Sequence, residues 1–323
     1  MRKISTIVVL SIFAGLTITA GAFAKDKPKA LVIASGNSGG TYYYIAAGQA
    51  KILSQAMKGF SVTTESTSGS PVENSSFVQD DAGTLGIVTL DGLYAALKGD
   101  KARGFAGGPL NNLTMIQAGH TILLYCVTLK SSNIKTFADL KGKKISLPTV
   151  GNTAYFQALE VLKAYGLSPK DYKGTPMMYS EATDALKDGT LDAIFVAGGI
   201  PQASVMDLNT TKDIRLLSID PSKEKALVKS APFWSIYKIP GGTYSDQKEP
   251  TNVFTATVLL LANKNLDDDI VYKVTKTLNE KVKDLTAIHK SGAEYNVKHT
   301  KQIIAMKIVP LHPGAKRYYD ETK

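Results

Sequence analysis

Cysteine is nearly absent from this chain: Cys126 is the only one in 323 residues. A lone cysteine closes no internal disulfide, so the fold must rest on its hydrophobic core. Its apolar setting, Ile122 to Val127, marks the thiol as a core residue and not a nucleophile. Arginine is scarce too. After residue 24 only Arg103, Arg215 and Arg317 occur, with Arg103 and Arg317 in surface-like polar sequence and Arg215 in a strand-like run. Proteins that grip nucleic-acid phosphates usually use more arginine, and no basic cluster replaces it, so nucleic acid is not an expected partner. The four histidines, His120, His289, His299 and His312, include no pair at the spacing of a helical metal site. His312, in a Leu-His-Pro-Gly run near the end of the chain, reads as structural. There is no Gly-x-Ser-x-Gly elbow, no P-loop and no dinucleotide fingerprint after the first strand. The expectation is a protein with no catalytic residues, no cofactor and no metal. Beyond the first residues the longest apolar run, Phe254–Ala262, is far too short to span a membrane.

What is present begins with an export signal. Arg2-Lys3 precedes an apolar core from Ile7 to Ile18, and Ala22-Phe23-Ala24 has the form of a cleavage site. Residues 1–24 are therefore expected to be removed after Ala24, leaving a periplasmic chain. A retained anchor is the competing reading, disfavoured by the short core and the small residues after it. The formal charge is +10, and loss of Arg2 and Lys3 leaves +8. Such a balance favours anions without choosing one.

Strand-like and helical patterns alternate along the rest. Strands are expected at 30–33, 60–65, 85–88, 113–118, 122–129, 144–147, 176–179, 193–196, 214–219 and 252–263. Helical windows separate them, and a long helical pattern follows from Asp267 to His289. This predicts an α/β fold with mainly parallel sheets and right-handed crossovers. The alternation occurs twice, and Ala118-Gly119-His120 joins the two sets. The expected architecture is two lobes with a hinge between them: residues 25–117 plus about 232–323, and about 118–231. Ligands bind such folds at the carboxyl ends of the parallel strands.

Four loops meet that rule. The first, Ala34 to Tyr44, is Gly-rich and opens a helix, where backbone N–H groups and the helix dipole favour an anion. It offers Ser38, Gly40, Thr41, Tyr42 and Tyr43. Successive helical side chains are about 100° apart, so three consecutive tyrosines cannot all face one core. The second loop offers Thr89 and Asp91, the third Gly151, Asn152 and Thr153, and the fourth Gly198 and Gly199. Helix capping alone would also account for Ser38, Thr41, Asp91, Asn152 and Thr153, and a tight turn for the two glycines. An acid such as Asp91 would repel a carboxylate but could hold an amino group.

The ordered motifs identify a resemblance. Ser38-Gly39-Gly40-Thr41-Tyr42-Tyr43, Phe137 to Lys144, Asp188 to Ala193, Ala197 to Pro201, Ile239 to Tyr244 and Pro310 to Tyr319 together resemble the TAXI family. These are the extracytoplasmic solute-binding subunits of TRAP transporters, and the likeness covers nearly all of the chain after the signal. It implies a Venus-flytrap receptor, type II-like, without catalysis. It implies delivery of a small anionic solute, such as glutamate or a related dicarboxylate, to a TRAP permease that is often fused and driven by an ion gradient. A monomer is expected. The chain departs from relatives at Ala118 to Leu123, at Leu90 and at Gly151-Asn152-Thr153, which leaves the exact ligand open. A sensor that signals to a membrane protein would use the same closing receptor, and an exported enzyme is the remaining alternative.

Overall fold

The computed structural model describes residues 27–36, 38 and 40–322. The expected signal and its cleavage site lie outside them. In chain order the elements are β1 (Ala30–Ala34), α1 (Thr41–Ala56), β2 (Ser61–Glu65), α2 (Pro71–Asp80), β3 (Thr84–Thr89), α3 (Leu90–Lys98) and β4 (Leu113–Leu129). Then come β5 (Lys144–Leu147), α4 (Thr153–Ala164), β6 (Lys173–Pro176), α5 (Tyr179–Lys187), β7 (Ala193–Gly198), α6 (Ala203–Thr211), β8 (Ile214–Leu217), α7 (Pro221–Ser230) and β9 (Trp234–Ile239). The chain closes with β10 (Thr251–Asn263), α8 (Asp268–Glu280), α9 (Val282–Ile288), α10 (Val297–Met306) and α11 (Pro313–Glu321).

The strands run in the order β2-β1-β3-β10-β4-β7-β5-β6, with β8 added on β4 and β9 on β10. The outer strands of each half are parallel, as expected: β2, β1 and β3 in one, β6, β5 and β7 in the other. The centre is not. β4 and β10 are antiparallel to each other and to every strand beside them. They are long because both pass through both lobes. The two apolar runs expected as separate strands at 113–118 and 122–129 are therefore one strand.

Each lobe has helices on both faces of its part of the sheet. Val258, Leu260 and Ala262 enter one core of the first lobe, while Leu259 and Leu261 enter the other. Further back on the same strand, Phe254 and Ala256 enter one core of the second lobe and Val253 its opposite face. A strand buried on both faces reads as an unbroken apolar run, which is why β10 looks so hydrophobic. Trp234, Phe254 and Ala256 share a core with Leu124 and Cys126.

Two other expectations change. The segment 176–179 is not a strand: β6 ends at Pro176 and Tyr179 opens α5. β6 is an exposed edge strand held by β5 alone, so its residues carry no burial pattern to read. The pattern from Asp267 to His289 is two helices that meet at Lys281. Leu285 and Ile288 of the second lie against α1 at Gly48.

Candidate ligand cleft

Between the lobes lies a cavity of about 550 Å³. Its walls are built from the starts of six helices, three per lobe. Thr41 opens α1, Pro71 opens α2, and Thr89 precedes α3. Facing them, Asn152 and Thr153 start α4, Tyr179 starts α5, and Gln202 and Ala203 start α6. Strand polarity causes this convergence, since each of these helices follows the carboxyl end of a parallel strand. Each helix start carries about half a positive charge. At α1, α3, α5 and α6 no side chain caps the first turn.

Buried hydrogen bonds hold these loops in place. Asn74 Nδ2 donates to the Ser35 and Ile87 carbonyls, both at 2.8 Å, and its Oδ1 accepts from Thr67 at 2.8 Å. That ties the loop before α1 to the end of β3. In the other lobe the Tyr244 hydroxyl accepts from Gln202 N at 3.0 Å, and Tyr125 donates to Gln202 Oε1 at 3.1 Å. Gly151, at φ 85°, turns the chain into α4 in a backbone region that a side chain would strain.

The floor is a bulge in β4. Thr257 of β10 pairs with Thr121, and Leu259 pairs with Ala118, so Gly119 and His120 together face Val258. A bulge re-aims the side chain it carries. Here it turns His120 into the cleft, where its ring meets Tyr42 edge-on at 5.6 Å. His120 Nδ1 is hydrogen-bonded to the Tyr295 hydroxyl at 3.0 Å. Burial, with His289 nearby, lowers His120 to about 3, so the imidazole is neutral. Burial also pushes Tyr179 up to about 12 and raises Tyr42, which keeps both phenols protonated as donors. His289, Lys290 and Ser291 close one side, with Tyr44 stacked against His289 at 6.5 Å.

Among the residues expected at a site, Gly40, Thr41, Tyr42, Thr89, Asn152, Thr153, Gly198 and Gly199 all line this cavity. Ser38, Tyr43, Asp91 and Gly151 do not. Ser38 is exposed, and Tyr43 turns toward Tyr44. Gly151 borders a smaller crevice beside Asp91, Arg103 and Phe156. Sequence reasoning missed Ser68, Gly69, Pro71, Thr121, Ile122, Tyr179, Gln202, Ala203 and the stretch from His289 to Ser291. It named His120 among four histidines without metal-site spacing and as part of a crossing, not as a site residue. A crossing between lobes lies beside the cleft, and that was the usable signal.

The lobes touch beside the cavity. Thr89 and Thr153 are hydroxyl to hydroxyl across the gap at 2.7 Å. Asp91 is 1% exposed, and its Oδ2 accepts from Arg103 Nη1 at 2.7 Å. The guanidinium lies against three rings of the other lobe: Phe156 at 4.9 Å, Trp234 at 5.2 Å and Phe233 at 5.5 Å. Arg103 is thus a partly buried inter-lobe residue, not the surface residue its polar neighbourhood suggests. Burial raises Asp91 above the usual carboxylate range, while Arg103 and the Thr89 and Trp234 side chains favour its charged form.

The fold is that of a two-lobe α/β protein with a cavity between the lobes. The model of the NMT1-like family matches residues 33–322, and the chain belongs to that family. Similar solved structures include a TctC solute-binding protein from Polaromonas, at TM-score 0.57 and 13% identity, covering 90% of this chain and 96% of that one. MatC from Rhodopseudomonas palustris, with bound malate, has TM-score 0.51 and 15% identity over 91% of this chain and 99% of that one. The periplasmic aliphatic sulphonate binding protein SsuA from Escherichia coli has TM-score 0.50 and 16% identity over 91% and 79%. At such identities the likeness is one of fold.

Proposed function

We propose that this protein is an exported, non-catalytic solute receptor of a TRAP transporter of the TAXI type. It captures a small anion of about dicarboxylate size and delivers it to a membrane permease, alone or fused, as a monomer. The observation that carries this reading is the meeting of six helix N-termini, three from each lobe, around one cavity of about 550 Å³. Oriented N–H groups on both walls bind an anion best when the lobes are together, so the ligand favours closure by differential affinity. The proposed contacts are Gly40, Thr41, Tyr42 and Thr89 from the first lobe, and Asn152, Thr153, Gly198 and Gly199 from the second. On this reading the lobe boundaries fall near residues 118–121 and 257, at the bulge and its partner.

A thermal-shift panel of carboxylates, sulfonates, sugars and inorganic cations tests the proposal. Anions are expected to raise the melting temperature in proportion to the logarithm of their concentration above Kd. Stabilisation by sugars or cations alone rejects it.

A further inference from the structure

We infer that the cleft selects anions without an ammonium group, and rejects the α-amino acid of the same carbon skeleton. This rests on the anion-receptor reading and narrows it. Among the described residues, the polar side chains lining the cavity are hydroxyls, phenols, amides, two imidazoles and the Lys290 ammonium, with no carboxylate. Acids close to the lining in sequence do not join it: Glu181, in the first turn of α5, is exposed, and Asp91, Glu73 and Glu294 each have one oxygen engaged. Asp91 pairs with Arg103 at 2.7 Å and borders a separate crevice. Glu73 Oε2 accepts from Ser68 N at 2.9 Å and from the Ser68 hydroxyl. Glu294 Oε2 accepts from Thr121 N at 3.0 Å and Thr121 Oγ1 at 2.8 Å.

The residue that could have held an amino group from the sequence alone, Asp91, is buried beside Arg103 and outside the cavity lining. A ligand's α-ammonium would enter a cavity walled by positive helix ends and Lys290, and would lose water without gaining a counter-charge. A hydroxyl or keto oxygen at the same carbon meets donors instead: the Tyr42 and Tyr179 phenols, the Thr41 hydroxyl and the Asn152 amide. Discrimination of this kind, where the site leaves a polar group unpaired, is large.

Isothermal calorimetry on the full mature chain with matched pairs tests this. The probes are glutarate, 2-oxoglutarate and 2-hydroxyglutarate against glutamate; succinate and malate against aspartate; and 2-hydroxyethanesulfonate against taurine. The expected result is that the best-bound skeleton binds at least a hundredfold more tightly without its amino group. An amino acid that binds as well as its counterpart overturns the inference and leaves the anion reading standing. Silence of every anion, with binding of a sugar or a cation, overturns both.

Discussion

Asn152 sits at the start of α4, where Oδ1 accepts from Ala154 N at 3.1 Å. The same side chain faces the cavity. Loss of an N-cap costs about 1 kcal/mol of stability, and a hydrogen bond to a charged ligand contributes about 1.5–3 kcal/mol. Asn152→Ala is therefore expected to lower the melting temperature of the empty protein and to weaken anion binding by roughly one to two factors of ten. Asn152→Asp separates the two roles. It keeps the cap but sets a negative charge against the anion, so the empty protein melts normally while the ligand-induced rise disappears. A normal rise in Asn152→Asp reduces this residue to a cap.

His120 makes the second residue-scale prediction. Its pKa falls from the ordinary 6.5 to about 3 in the folded protein, so below pH 6.5 the unfolded chain binds the extra proton. Stability is then complete above about pH 6.5 and is lost as pH falls toward 3, by up to about 1.4 kcal/mol per pH unit. Carboxylates such as Asp139, held low by backbone N–H groups, add their own acid loss. That part is common to His120→Asn. Denaturant melts between pH 4 and 7 should therefore show a shallower pH slope in His120→Asn than in the parent. Equal slopes would mean that the imidazole is not held neutral by burial.

At the scale of elements, the bulge of β4 and the contact made by Arg103 decide how the lobes meet. A methyl on Gly119 would overlap the Tyr295 ring, which is fully buried and holds His120. Gly119→Ala is expected to destabilise the fold by about 1–3 kcal/mol, the usual cost of overpacking, and to displace the cleft floor. Tyr295→Phe placed on top of Gly119→Ala should recover little, because the clash is with the ring. Arg103 offers a different test. Arg103→Ala leaves Asp91 buried without its partner, at a cost of up to about 3–5 kcal/mol, less wherever the carboxyl takes up a proton. Phe156→Ala leaves that ion pair intact and removes one ring from the other lobe. It should cost less in the first lobe but shift the empty protein toward an open state, read as a longer inter-lobe distance by paired spin labels. An unchanged distance distribution would show that the rings do not hold the lobes.

At the scale of the whole molecule, closure is the expected motion. β4 and β10 are the strands that run through both lobes, and the bulge marks where they can flex. Small-angle scattering of the empty and anion-saturated protein should show a smaller radius of gyration on saturation. Identical curves at saturation would reject closure as the response to ligand.

The sequence by itself determined the α/β alternation, the strand-end loops and most of their residues. Those signals are local: apolar runs of four to eight residues, glycines before helices, and side chains suited to a first turn. It did not determine that β4 and β10 each serve both lobes, because an unbroken apolar strand looks the same whichever core receives it. Nor did it place Asp91 and Arg103, twelve residues apart, beneath rings from residues 156, 233 and 234. His289 to Ser291 reached the cleft only through the packing of α9 on α1. The charge environment of the cavity was equally a tertiary outcome. Strand polarity aims six helix starts at one point, while burial and pairing remove the one acid, Asp91, that the sequence had offered for an amino group.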